Sequence, residues 1–213
     1  MTFRLEQILP EPLADQDLSA SQIWNKVVEF APGRCIRLQA ASGKGKTTLI
    51  HILYGRRTDY SGKVFLNGRQ LHMLKGNGWA MLRQRHLAIV FQEMLLFSQL
   101  TGRENIHLKS ILTGYYDNQT IDAFAERIHA AHLLDKKCGT MSFGERQRIA
   151  ILRALVQPFD WLLLDEPFSH LDEAHARAAS QLIQEECGKQ QAGILITTLG
   201  EDDFFQYDET YLV

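Results

Sequence analysis

Two short stretches of this chain carry side chains able to act on a phosphate. The first is Ala40-Ala41-Ser42-Gly43-Lys44-Gly45-Lys46-Thr47-Thr48. Gly43 and Gly45 let the backbone curl until successive N–H groups point inward. With the N-terminus of a following helix, those groups form an anion cradle. Lys46 would set its ammonium against the β- and γ-phosphates, and Thr47 would offer its hydroxyl to Mg²⁺. The pattern G-x-x-x-x-G-K-[ST] usually opens on glycine, and here that residue is Ala40. Alanine serves only where the backbone needs no positive φ. The plain alternative is a glycine-rich turn beside a lysine.

The second stretch is Trp161-Leu162-Leu163-Leu164-Asp165-Glu166-Pro167. An apolar run ending in two carboxylates reads as a buried strand with acids at its tip. Asp165 would hold the Mg²⁺ shell, and Glu166 would orient or deprotonate an attacking water. Open parallel sheets place their ligands at such strand tips. Taken alone, the pair reads equally well as two surface acids opening a turn.

The elements that must position these residues can be read around them. Arg34 to Gln39 is a candidate strand entering the glycine turn, and Thr47 to Tyr54 has helix-compatible apolar spacing before Gly55. Lys63 to Leu66 followed by Asn67-Gly68 reads as a strand entering a tight turn. Leu87 to Phe91, Ile194 to Thr197 and Glu209 to Val213 are further short strands. Between Gly102 and Lys137 the pattern becomes helical, with one helix expected over Ile121 to Leu134. Helices follow from Gly144 toward Leu155 and over Ala174 to Glu186, and Pro10, Pro12 and Ala14 to Ser21 read as a loop. Strands alternating with helices predict an α/β core of largely parallel strands.

Composition narrows the class. A chain of 213 residues, 45% apolar and 23% charged, can fold as one ordinary globular domain. The formal net charge of -2 gives no positive field, so no nucleic-acid partner is expected. Cys35, Cys138 and Cys187 are scattered and form no C-x-x-C pair, which suggests reduced thiols rather than a metal site. Met1 to Glu11 lacks the form of a signal peptide. The longest apolar runs are too short to span a bilayer.

Three more segments complete a pattern. Gln92 follows Val90-Phe91. Met141-Ser142-Phe143-Gly144-Glu145-Arg146-Gln147-Arg148 precedes the acidic strand, and Ser169-His170-Leu171-Asp172 follows it. In this order the five segments resemble the ATP-binding cassette (ABC) ATPases over nearly the whole chain. The resemblance implies an α/β fold: a P-loop NTPase (RecA-like) core with a small antiparallel β subdomain and a helical insertion subdomain. Residues 1–92 and 145–213 would form the core with its β subdomain, and about 93–144 the helical part bearing the signature. Met141 to Arg148 is similar to the family signature, commonly L-S-G-G-[QE], and Ser142 can cap the helix that follows. The resemblance implies that Ser142, Gly144 and Glu145 meet the ATP of an opposite subunit in a head-to-tail homodimer or heterodimer. It also implies that Gln92 senses Mg²⁺ and that Asp172 communicates across the dimer. Met94-Leu95-Leu96-Phe97 would then meet a membrane partner or serve as plain core. The expected product is an ATP-hydrolysing subunit, cytoplasmic and peripheral at the inner face of the membrane. It would power a transmembrane permease on a separate chain, as in lipoprotein-releasing, cell-division and small-molecule exporter complexes.

Departures from the pattern keep rival readings open. Leu199 stands where the family has its switch histidine and cannot hydrogen-bond a phosphate. Slow turnover is expected, with His170 or His175 as candidate substitutes from nearby in sequence. No aromatic residue lies between Phe3 and Trp24, the interval where the family often stacks adenine, and Trp24 itself reads as core. Phe143 adds bulk in the signature, and Lys44 adds charge to the loop. The rivals are a hydrolysis-poor dimerisation switch, a soluble ABC ATPase outside transport, and a generic phosphate-loop kinase. The kinase leaves Met141 to Arg148 and Ser169 to Asp172 unexplained.

Overall fold

A computed structural model describes residues 1–40, 43–198 and 203–213. Two sheets organise it. The larger has the order β6-β7-β8-β3-β9, built from Leu87–Val90, Trp161–Asp165, Gly193–Thr198, Cys35–Gln39 and Glu209–Leu212. Every neighbouring pair in it is parallel. β7 and β8 are buried at every position, which explains their unbroken apolar runs: a parallel strand covered on both faces has no polar side. The smaller sheet, β2-β1-β4-β5, is antiparallel and uses Val27–Phe30, Phe3–Pro10, Tyr60–Leu66 and Arg69–Gln70. One apolar cluster lies between the two sheets and includes Phe3, Trp24, Leu38, Leu49 and Trp161. A second joins the other face of the parallel sheet to the helices between β6 and β7 and to α6.

The parallel strands all run to the same edge, and the candidate residues collect there. β3 leads to the glycine turn and α1 (Lys46–Leu53), β6 to Gln92, β7 to Asp165 and Glu166, and β8 to Thr197. α2 (Gly76–Arg85) precedes β6. α3 (Gly102–Thr113) and α4 (Asn118–Arg127) follow it, then α5 (Phe143–Leu155), and α6 (Glu173–Gln190) lies between β7 and β8.

Four elements depart from the sequence reading. β1, β2 and α2 form where no element was expected, and the Ile121–Leu134 helix stops at Arg127. His129, at φ 54°, breaks it, and a single 3-10 turn over Ala131–Leu133 follows. Ser142 caps α5 as expected: its hydroxyl accepts from Glu145 N–H at 3.2 Å, and the Glu145 carboxylate accepts from Ser142 N–H at 2.7 Å. This reciprocal box satisfies donors that a helix start otherwise leaves free. Among the described residues no helix is long and apolar enough to cross a membrane.

Candidate nucleotide site

Gly45 caps α1 with φ at 99°, a left-handed conformation that favours glycine. Space demands glycine as well, because a Cβ there would lie 2.7 Å from Leu13 Cδ1 and 2.8 Å from Trp24 Cζ2. Trp24 is 1% exposed and donates its indole N–H to the Lys44 carbonyl at 3.3 Å, so it is the core residue its sequence context suggested. The first intrahelical bond of α1 is Leu49 N–H to the Gly45 carbonyl, so the N–H groups of Lys46, Thr47 and Thr48 have no partner within the helix. Lys46 is buried and donates from Nζ to the Ala40 carbonyl at 2.5 Å. Lys44 lends its carbonyl to Trp24 and does not line the pocket. Ala41 and Ser42 lie outside the described residues.

Asp165 is fully buried. Its Oδ1 accepts from Thr47 Oγ1 at 3.1 Å and from Thr197 Oγ1 at 2.8 Å. Its Oδ2 is buried and has no hydrogen-bond partner among the described residues. A carboxylate oxygen left this way, beside a threonine hydroxyl and a phosphate loop, fits the hydrated shell of a hard divalent cation. Glu166 takes φ 48°, a strained value for a non-glycine residue. Such strain persists only where neighbours over-determine it, and they do here. Glu166 N–H donates to Thr197 Oγ1 at 2.9 Å, while its carbonyl accepts from Gln147 Nε2 at 3.1 Å and Ser169 Oγ at 3.1 Å. Gln92 Nε2 donates to Glu166 Oε2 at 3.1 Å. A cavity of about 310 Å³ brings Gly43, Gly45, Lys46, Thr47 and Thr48 together with Gln92 and Glu166.

Burial raises both carboxylates above their ordinary range. For Asp165 the hydroxyls of Thr197 and Thr47 offset part of this, and for Glu166 the Lys46 ammonium does. A folded pKa above the unfolded one means that the folded state holds the proton more tightly. The ionised group therefore weakens folding as pH rises above the unfolded value, and fully so above the folded one. Asp165→Asn should raise the Tm at neutral pH, with the gain shrinking as pH falls through the raised folded value and gone below about pH 4, while ATP turnover falls. Thermal unfolding at the two pH values checks this; a loss of stability at neutral pH contradicts it.

A sequence model of the ABC transporter family matches residues 25–169. The chain belongs to the ABC transporter family. It is 31% identical to the lipoprotein-releasing system ATP-binding protein LolD of Saccharophagus degradans over 174 residues, 80% of this chain and 76% of that one. It is 34% identical to LolD of Pseudomonas syringae pv. tomato over 174 residues, 80% and 77% of the two chains. The fold matches a dimeric structure of MJ0796, a bacterial ABC transporter cassette, with a TM-score of 0.80 at 20% identity, covering 93% of this chain and 88% of that one. This ABC cassette is thus an ATP-binding, ATP-hydrolysing subunit.

The signature residues of the cassette do not line the pocket that holds Lys46 and Glu166. Ser142 and Glu145 close the cap of α5, and Glu145 also accepts from Lys136 at 2.9 Å. Lys136 foremost, with the Ser142 N–H, holds that carboxyl below its usual range. Gly144 is where α5 meets the segment after β7: a Cβ there would lie 2.7 Å from the His170 carbonyl. Phe143 is 59% exposed, with the Arg146 guanidinium 4.5 Å over its ring and the His170 ring 5.0 Å away. Asp172 caps α6 and accepts from His175 N–H at 2.9 Å and from its ring at 2.8 Å, so His175 is engaged there. Leu199 lies outside the described residues. Met94 is buried whereas Leu95 and Phe97 are exposed, so that stretch divides between core and surface. Two contributors were missed by sequence reasoning. Thr197 links Asp165 to Glu166, and buried Gln147 links the Glu166 carbonyl to His170 N–H, the latter at 3.0 Å. Gln147 stands three residues beyond Gly144 in the signature, and that proximity was its one available signal.

Proposed function

We propose that this cassette binds Mg·ATP in the pocket of Lys46 and Glu166, pairs head-to-tail with a second cassette, and drives a membrane-spanning partner on a separate chain. The observation that carries the reading is one cavity holding Lys46, Thr47, Gln92 and Glu166, with the unpartnered Asp165 Oδ2 on its Thr47 side. Lys46 and the N–H groups of α1 that have no partner inside the helix hold the β- and γ-phosphates. Thr47, Asp165 and Gln92 would hold Mg²⁺, which supplies charge neutralisation on the phosphoryl oxygens. Gln92 fixes the Glu166 carboxylate through its amide N–H. Raised by burial but facing Lys46, that carboxylate orients the attacking water and accepts its proton.

The dimer is supported by the position of Ser142 and Gly144 outside their own pocket. The Ser142-capped start of α5, with Gly144 in its first turn, suits a phosphate offered by another chain. The membrane partner is supported by the relatives, which are ATP-binding proteins of lipoprotein-releasing systems. The location proposed is cytoplasmic, at the inner face of the membrane through that partner. We assign residues of about 93–144 to a helical subdomain that bears the signature.

Light scattering tests the reading. Mg·ATP should double the 24.3 kDa mass, and Lys46→Ala should abolish the doubling. A chain that binds ATP yet stays monomeric with any second cassette overturns the head-to-tail dimer. ATP-driven pairing without turnover favours the switch reading that Leu199 raises.

A further inference from the structure

We infer that Cys35 and Cys187 form a thiol–disulfide exchange site for a low-molecular-weight peptide disulfide, at the end of the sheet opposite the nucleotide pocket. The inference stands apart from the nucleotide reading. Two independent periodicities bring the thiols together. On β3, Ile36 and Leu38 face the cluster between the sheets. Alternation therefore turns Cys35 to the other face, the one that α6 covers. On α6, Ile183 and Cys187 are buried one turn apart, so Cys187 lies on the stripe that faces the sheet. A short strap fixes their spacing. Ala192 N–H donates to the Cys187 carbonyl at 2.9 Å, and Ile194 N–H donates to the Arg34 carbonyl at 2.8 Å. Only Gly193 lies between these two anchors. Cys35 accordingly packs against the apolar cluster that contains Cys187.

Both thiols line one cavity of about 580 Å³. Its rim carries exposed Gln184, Gln191 and Gln206, with Arg34 held across from them by Asp208 at 3.3 Å. Amides that donate and accept suit the peptide bonds of such a ligand, and a guanidinium suits its carboxylates. The two cysteines have different parts. Cys35 is half-buried at the first position of β3, where an incoming disulfide reaches it. Cys187 is 4% exposed. Burial above all, then Cys35 and Glu186 nearby, raises its thiol above the ordinary value, so it stays protonated and inert toward reagents in solution. Cys35 therefore attacks first. Its sulfur displaces one thiol from the small disulfide, which leaves with the Cys35 proton, and a mixed disulfide remains. Cys187 then attacks the Cys35 sulfur and displaces the second small thiol, which takes the Cys187 proton. Two protein thiols lose two electrons, and one small disulfide becomes two thiols. The new bond joins the start of β3 to the last turn of α6. Cys138 is the internal control: it is fully buried, its sulfur accepts from the Asn105 amide at 3.2 Å, and it lines a different cavity.

The test incubates the full chain with oxidised glutathione, quenches exchange with acid, and counts the remaining thiols in denaturant. The reduced chain carries three. After oxidation a single thiol should remain, on Cys138, with peptide mapping placing the new bond between Cys35 and Cys187. Cys187→Ser should stop at the mixed disulfide, heavier by one glutathione. Cys35→Ser should slow the loss of thiols by at least about tenfold, because Cys187 is shielded. A parent chain that keeps all its thiols overturns the inference. So does a bond that includes Cys138 or joins two chains, and so does a parent chain that halts with glutathione on Cys35. These readings come from the parent chain and hold even where a variant fails to fold.

Discussion

Glu166→Gln is expected to cut ATP turnover by about 10²–10⁴-fold, the usual worth of a general base, while leaving nucleotide affinity within about threefold. On the barrier this is roughly 3–5 kcal/mol. The amide keeps the shape of the carboxylate, and its oxygen can still accept from Gln92 Nε2, which now lies 3.1 Å from Glu166 Oε2. The backbone contacts to Thr197, Gln147 and Ser169 are untouched. What disappears is the ability to take a proton from water. The ATP-bound dimer should therefore accumulate, visible as a slower return to monomer after ATP is added. Turnover within tenfold of the parent chain would remove Glu166 from its assigned role. A parent chain already as slow as the variant would point instead to Leu199.

Trp161→Ala should be the most destabilising single truncation at the N-terminal ends of the parallel strands, opposite the site, by about 3–5 kcal/mol. The indole is fully buried, packs on Phe3 with ring centroids 5.4 Å apart, and donates to the Met1 carbonyl at 2.7 Å. It also lies over Gly193, where a Cβ would come within 2.6 Å of the ring. The truncation therefore opens a cavity between the sheets and leaves the Met1 carbonyl without its donor. For a domain of this size, Tm should fall by roughly 6–20 °C, taking about 2–4 °C per kcal/mol. Trp161→Phe, which keeps most of the buried area, should lose about 1–2 kcal/mol. Calorimetry on both variants checks the order; equal losses would mean that the hydrogen bond, not the ring volume, sets the cost.

How far the fold was legible depended on local regularity. β7 and β8 are apolar throughout because both faces are covered, and such runs stand out in a sequence. β1 alternates well from Phe3 to Glu6, but Gln7 takes φ 51° and the pairing with β4 shifts between Glu6 and Leu9. That bulge breaks the period of two and hides the strand. β2 has four residues, too few for a pattern to show. α2 buries none of its residues and starts without a side-chain cap, so neither periodicity nor a start signal marks it.

The candidate site divides in the same way. Lys46, Thr47, Asp165 and Glu166 sit beside turns and strand ends that a sequence displays. The hydroxyl of Thr197 and the amide of Gln147 act across 31 and 19 residues of chain. No local pattern marks such pairs, and only the sheet order and the course of α5 bring them together.

Gln147 gives the molecule a further property. Its one amide serves two masters: Nε2 holds the Glu166 carbonyl, and Oε1 holds the His170 N–H. Both bonds are short-range and angle-dependent, so a small roll of α5 would forfeit both together rather than stretch them by degrees. The strained conformation of Glu166 would then lose one of its tethers in the same instant that the chain beyond it came loose. One side chain of α5 thus couples the backbone of Glu166 to the chain that leads into α6.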